Sequence, residues 1–137
     1  DPVRKMDLLI TAKNFVCPSL FMAEELKRNG SRAWVYQFNR VRDDDLAKKY
    51  GAFHGAELPY VFDTHDEWLP TNKTDKVLTR EIQSYWLSFA KTGDPNNDGA
   101  VVWPEYESSN DSTLVLDDEI YQRGHESSEI CKIMDLF

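Results

Sequence analysis

The sequence predicts an α/β protein of which only the last part is present. Three observations carry this reading. The segment "AWVYQFNRV" is rich in aromatic and β-branched residues and reads as a strand. Trp34, Tyr36 and Phe38 share one face and Ala33, Val35 and Gln37 the other, so both faces are largely apolar, as in a strand covered on both sides. The rest of the inventory is one weak strand and four helical pieces, too few strands to satisfy the backbone groups of the strong one. Partner strands are therefore expected outside the 137 residues.

The elements follow in order. Val3 to Asn29 reads as helical, interrupted at Pro18, which lacks an N–H and clashes with the preceding turn. One helix is expected before Cys17 and a second starting near Pro18, with Gly30 as its stop. After the strand, "RVRDDDLAKK" mixes both charge signs and reads as a solvated loop face. "TDKVLTREIQSYWLSFAKTGDPN" is the clearest helix. Leu78, Ile82, Tyr85, Trp86 and Phe89 recur at three- and four-residue steps, Thr74 or Asp75 can cap the start, and Gly93 and Pro95 end it. "NNDG" is a turn, "WPEY" an extended piece, and "STLVLDD" alternates like a short strand. The tail ends in an amphipathic helix carrying Ile130, Ile133, Met134 and Phe137.

Composition narrows the function classes. Hydrophobic residues make up 41% and charged residues 29%, ordinary for a globular protein. A net charge of −8 argues against a nucleic-acid partner, which needs clustered Lys and Arg. No apolar run approaches the roughly 18 residues of a membrane span, and "DPVRKMDLLITAKNF" is no secretory signal peptide. Cys17 and Cys131 are too far apart in sequence for a zinc motif; two buried thiols or a disulfide remain open, and no metal or cofactor is implied. Asn29-Gly30-Ser31, Asn72-Lys73-Thr74 and Asn110-Asp111-Ser112 are glycosylation sequons in polar, turn-like stretches, so Asn29, Asn72 and Asn110 are candidate glycan sites.

"GAFHGAELPYVF" holds the one histidine set for chemistry. His54 lies between small residues in a loop, before an apolar run, where a ring can reach out from a rigid scaffold. His65 and His125 lie in polar surroundings and read as surface residues. Taken in order, "NFVCP", "AWVYQFNR", "AFHGAELPYVF", "YWLSFAKTGDPN", "WPEY", "LVLDD" and the cysteine-bearing last helix resemble the C-terminal third of the type-B carboxylesterase and cholinesterase family, which has the α/β-hydrolase fold. The resemblance covers nearly the whole chain, residues 1–137, as one part of a single domain whose N-terminal portion lies elsewhere.

That resemblance implies a Ser–Glu–His triad with His54 as its histidine, accepting the proton of an upstream serine and returning it to the leaving alcohol. Imidazole suits the task because it changes charge near neutral pH. Gly55 and Ala56 leave room beside the ring, and Glu57 reads as a structural carboxylate hydrogen-bonded near the loop, since the family's triad acid lies upstream. No Gly-x-Ser-x-Gly occurs in these residues. The resemblance also pairs Cys17 with Cys131 and implies a secreted protein. The partners it implies are the N-terminal portion of the same enzyme, carrying the serine and acid, and a small ester. The sequence departs from the family at two positions. Cholinesterases carry a large residue where Ala56 stands, and alanine offers no π-face to a choline cation. The family often has an acidic residue in place of Ala12. The alternative reading is a non-catalytic adhesion or structural protein on the same scaffold. A free-standing helical binding module fits poorly, because the strand would leave unpaired edges.

Overall fold

The computed structural model describes residues 2–67, 69–124 and 127–134. The chain divides into two compact units, Asp1–Val35 with Pro104–Thr113 and Arg123–Phe137, and Tyr36–Trp103 with Leu114–Gln122.

In the first unit, Pro18 does not break the N-terminal helix. Helix α1 (Pro2–Thr11) runs through a π-turn (Ala12–Val16) directly into α2 (Cys17–Arg28). A proline cannot donate to the carbonyl four residues back, and its ring crowds that carbonyl. Widening the preceding turn relieves the conflict, and the Cys17 N–H reaches back to the Ala12 carbonyl. Pro18 keeps its expected place in the first turn of α2. The expectation that no stretch approaches membrane length is amended by this continuity: Lys5–Arg28 is long and apolar enough to cross a membrane by length and composition alone. Its buried residues nonetheless form a core, with Ala12, Cys17, Leu20 and Ala23 packed with Tyr106 and Cys131. Ala12, where the family often has an acid, is 2% exposed in that core. Helix α6 (Ser127–Ile133) brings Cys131 to Cys17 in a disulfide with Cα atoms 5.6 Å apart. Ile130 and Met134 pack against the same core, but Ile133, expected on the apolar face, is 84% exposed, and Phe137 lies outside the described residues.

In the second unit, strand β1 is short, Val35–Phe38, and its two central residues, Tyr36 and Gln37, are exposed, contrary to the expected covering of both faces. It is an edge of a three-stranded sheet of order β1-β2-β3, where β2 (Thr113–Leu116) is fully buried and β3 (Tyr121–Arg123) is an element that sequence reading missed. Helix α5 (Lys73–Thr92) buries Leu78, Ile82 and Tyr85, while Phe89 is half exposed. Its N-cap is Asn72, not Thr74 or Asp75. The Asn72 side chain accepts from the Asp75 N–H and the Asp75 carboxylate accepts from the Asn72 N–H, a reciprocal capping box. Gly93 ends the helix at φ 75°, the left-handed conformation that glycine adopts without steric cost. Beyond it, Asn96 clips the chain: its amide nitrogen donates to the Trp103 carbonyl at 3.0 Å and its amide oxygen accepts from the Trp103 N–H at 2.7 Å. That clip gives a physical reason for "TGDPN" and "WPEY" to travel together. Trp103 then meets Tyr36, Tyr85 and Trp86 edge-on or tilted, with ring centroids 5.5–6.0 Å apart.

The charged segment after β1 is a solvated face only in part: Asp43, Asp45, Lys48 and Lys49 are exposed, but its arginines are not, and half of it is helical. Arg40 is 4% and Arg42 8% exposed, and Asp45–Tyr50 form a helix, α3, capped by Asp44. Arg40 donates to Asp75 and to Asp118, both at 2.9 Å. Burial alone would raise the Asp75 carboxyl, but hydrogen bonds from Arg40, the Asn72 backbone and Tyr60 outweigh it and hold Asp75 below the ordinary carboxylate range.

His65 is also not a surface residue, since its side chain is 2% exposed. Arg42 Nη2 donates to its Nδ1 at 3.0 Å, which leaves Nε2 as the protonated nitrogen, donating to Thr79 Oγ1 at 2.7 Å. Burial, then Lys76 and Arg42, lower its pKa from 6.5, against the opposing carboxylates of Asp63 and Asp75. An imidazole whose folded pKa is depressed binds its proton more readily when unfolded. Its contribution is therefore complete above the unfolded value and is lost as pH falls from there towards the folded one. The melting temperature of the wild type is expected to drop more between pH 7.5 and pH 5 than that of His65→Gln; parallel pH curves for the two would contradict this. His125, the other histidine read as exposed, lies outside the described residues.

Candidate active site

His54 sits at the exposed start of a hydrogen-bonded turn in the second unit. The Ala56 N–H donates to the Phe53 carbonyl at 2.9 Å, and the Leu58 N–H to the Gly55 carbonyl at 3.1 Å. Gly55 has φ 89°, where an L side chain would be strained, so the sequence "His-Gly" is what allows the chain to reverse immediately after the imidazole. The turn then winds into α4 (Leu58–Phe62), with Pro59 in its first turn and the Tyr60 and Val61 N–H groups donating to the Glu57 carbonyl.

The apolar run after His54 is less buried than its composition suggests. Tyr60 is the one buried residue of α4, and Leu58 and Phe62 are 50% and 67% exposed. Glu57 is half-buried at the N-cap, but its side chain makes no cap hydrogen bond, and among the described residues its carboxylate accepts none. The expected hydrogen-bonded role is therefore replaced by an electrostatic one: burial, and next the Glu57 charge, raise the Tyr36 hydroxyl above its ordinary pKa. Ala56 is half-buried beside it.

Sequence reasoning missed the group beneath this turn. The Tyr60 hydroxyl donates to Asp75 Oδ1 at 2.7 Å, and its ring lies 5.1 Å from Phe38, 5.2 Å from His65 and 4.8 Å below the Arg42 guanidinium. The signal was present as two arginines and an aspartate near the ends of predicted elements, but a charge run carries no information about burial until its partners are placed.

The other predicted residues lie elsewhere. Cys17 and Cys131 are joined in the first unit. Asn29 is the C-cap of α2, its amide donating to the Glu25 carbonyl at 2.7 Å. Asn72 caps α5 and also donates to Asp43. Asn110 is exposed and accepts from the hydroxyl of Ser112, the third residue of its own sequon. Among the described residues no group of three or more His, Cys, Asp or Glu side chains is arranged to hold a metal ion.

Residues 1–133 match the family model described as the carboxylesterase family. The para-nitrobenzyl esterase of Bacillus subtilis (strain 168) is 40% identical over 70% of this chain and 20% of its own length. The acetylcholinesterase of Gallus gallus is 30% identical over 96% of this chain and 18% of its own. A solved PNB esterase superposes with TM-score 0.68 at 33% identity, covering 77% of this chain and 22% of the esterase. An esterase from Clostridium hathewayi has the same fold at 20% identity, TM-score 0.69, over 83% of this chain and 23% of its own. The chain thus spans about a fifth of the length of the relatives it matches. It has the fold of part of an α/β hydrolase, and it belongs to the carboxylesterase family.

Proposed function

We propose that these residues supply the general base of a serine carboxylic-ester hydrolase, with His54 as that base. The observation that carries the reading is an exposed histidine at the start of a glycine-dependent turn, in a chain of the carboxylesterase family. His54 takes the hydroxyl proton of an upstream serine as its Oγ attacks the ester carbonyl. It then gives that proton to the leaving alcohol, and in the second half-reaction activates the water that releases the acid. The serine, the triad acid and the backbone N–H groups that hold the oxyanion belong to the N-terminal portion. The histidine acts through its own ring, with no cofactor in the sequence of steps.

Partnership with that portion is supported by the apolar residues left exposed on α1, Met6, Leu8, Leu9 and Ile10, and by the position of β1 at the edge of the sheet. A secreted location is supported by the disulfide, which persists in oxidising compartments, and glycans at Asn29, Asn72 or Asn110 would accord with it. The isolated 137 residues are expected to show no ester turnover, and co-expression with the N-terminal portion is expected to restore it. A cooperative melt together with ester hydrolysis by the isolated segment would overturn the fragment reading. Absence of turnover on a broad ester panel by the complete protein would favour a non-catalytic adhesion role.

A further inference from the structure

We infer that Tyr60 is a positioning residue for His54, acting through the buried carboxylate of Asp75, an inference that rests on the catalytic reading of His54. The path is short and continuous. Turn hydrogen bonds from Phe53 to Leu58 join the His54 backbone to α4, and the one fully buried side chain of α4 is Tyr60, which is 1% exposed. α4 also packs along α5, where Gln83 Nε2 donates to the Val61 carbonyl at 3.5 Å, but Tyr60 carries the only polar side chain of the helix. The Tyr60 hydroxyl supplies the directional part of the anchor, because its acceptor cannot move.

Asp75 is 1% exposed and held from three sides. Its Oδ1 accepts from Arg40 Nε at 2.9 Å as well as from Tyr60, and its Oδ2 accepts from the Asn72 N–H at 2.8 Å. Arg40 is fixed in turn by Asp118, just beyond β2, and by the Val41 carbonyl at 2.7 Å. The network therefore refers the His54 turn to the start of α5 and to the residues that follow β1 and β2. Catalysis is sensitive to such reference points, since a displacement of about 1 Å in a reacting group can lower a rate roughly 100-fold.

Tyr60→Phe is the discriminating change, because it keeps the ring, its contact with Phe38 and its place under Arg42 while removing the hydroxyl. In the full-length enzyme it is expected to lower kcat on a simple ester roughly ten-fold with KM within about two-fold. Leu20→Val, in the core of the other unit, serves as the stability control. It is expected to lower the melting temperature while leaving kcat per folded molecule unchanged. His54→Ala is measured alongside. If His54→Ala is inactive and Tyr60→Phe keeps the kcat of the Leu20→Val control, the positioning inference fails alone. If His54→Ala keeps wild-type turnover, the catalytic reading fails and the inference with it.

Discussion

Replacing His54 by alanine in the complete enzyme is expected to lower kcat/KM on a simple ester by at least several hundred-fold, about 3–4 kcal/mol of transition-state stabilisation. The expectation follows from the two proton transfers assigned to the ring. Without it the serine has no acceptor as it attacks, and the alkoxide has no donor as it leaves. Folding is expected to survive, because the side chain is exposed and little apolar area is lost with it. Glu57→Gln serves as the paired control. Its carboxylate caps nothing, so the variant is expected to retain more activity than His54→Ala. Both variants need a melting temperature beside their turnover numbers. A folded His54→Ala protein with near wild-type turnover would end the assignment.

The largest effect on stability is expected from the disulfide. Cys17 and Cys131 are 114 residues apart in sequence, and on the chain-entropy model a loop of that size contributes about 4–5 kcal/mol, less any strain. Both cysteines are buried in one small core with Ala12, Leu20, Ala23 and Tyr106, so the bond fixes α6 to the junction of the π-turn and α2. Cys17→Ala, Cys131→Ala and the double variant are expected to lose similar amounts of stability, because either single change already opens the loop. Non-reducing peptide mapping should recover the cross-linked peptide. Two alkylatable thiols in the native wild-type protein, or a double variant that melts with the wild type, would contradict the bridge.

What the sequence disclosed depended on how local the determining forces are. Helix α5 was legible because its apolar spacing and its Gly93 stop are both written within twenty-odd residues of sequence. Its cap was misplaced by a few positions, because serine-like and acidic residues near a helix start compete for the role until the backbone is known. In this helix Asn72 has the extended φ of −102° that an N-cap requires, and Asp75 reaches back to it. The Cys17–Cys131 pairing could be inferred only through the resemblance, since two distant cysteines leave free thiols open. The burial of Arg40, Arg42 and His65 was not legible. Each is a polar residue in a polar stretch, and the partners that make its burial tolerable lie on other elements. His54 was legible as a loop histidine followed by two small residues, Gly55 and Ala56, yet its anchor was not, because Tyr60 reads as one more aromatic in an apolar run until its hydroxyl is seen against Asp75.

The π-turn at Ala12–Val16 also sets the rotational phase of the N-terminal helix. A turn of this kind places one extra residue in the coil, and each residue of an α-helix advances it by roughly 100°. The side chains of α1 therefore point about that far around the axis from where an uninterrupted helix leading into α2 would aim them. Removing one residue between Ala12 and Val16 would return the helix to regular phase, swing Leu8 and Leu9 to a different side, and press the Pro18 ring against a carbonyl again. An insertion or deletion here is thus not absorbed as it would be in a surface loop: it re-aims a whole apolar face, and the proline fixes which phase the helix keeps.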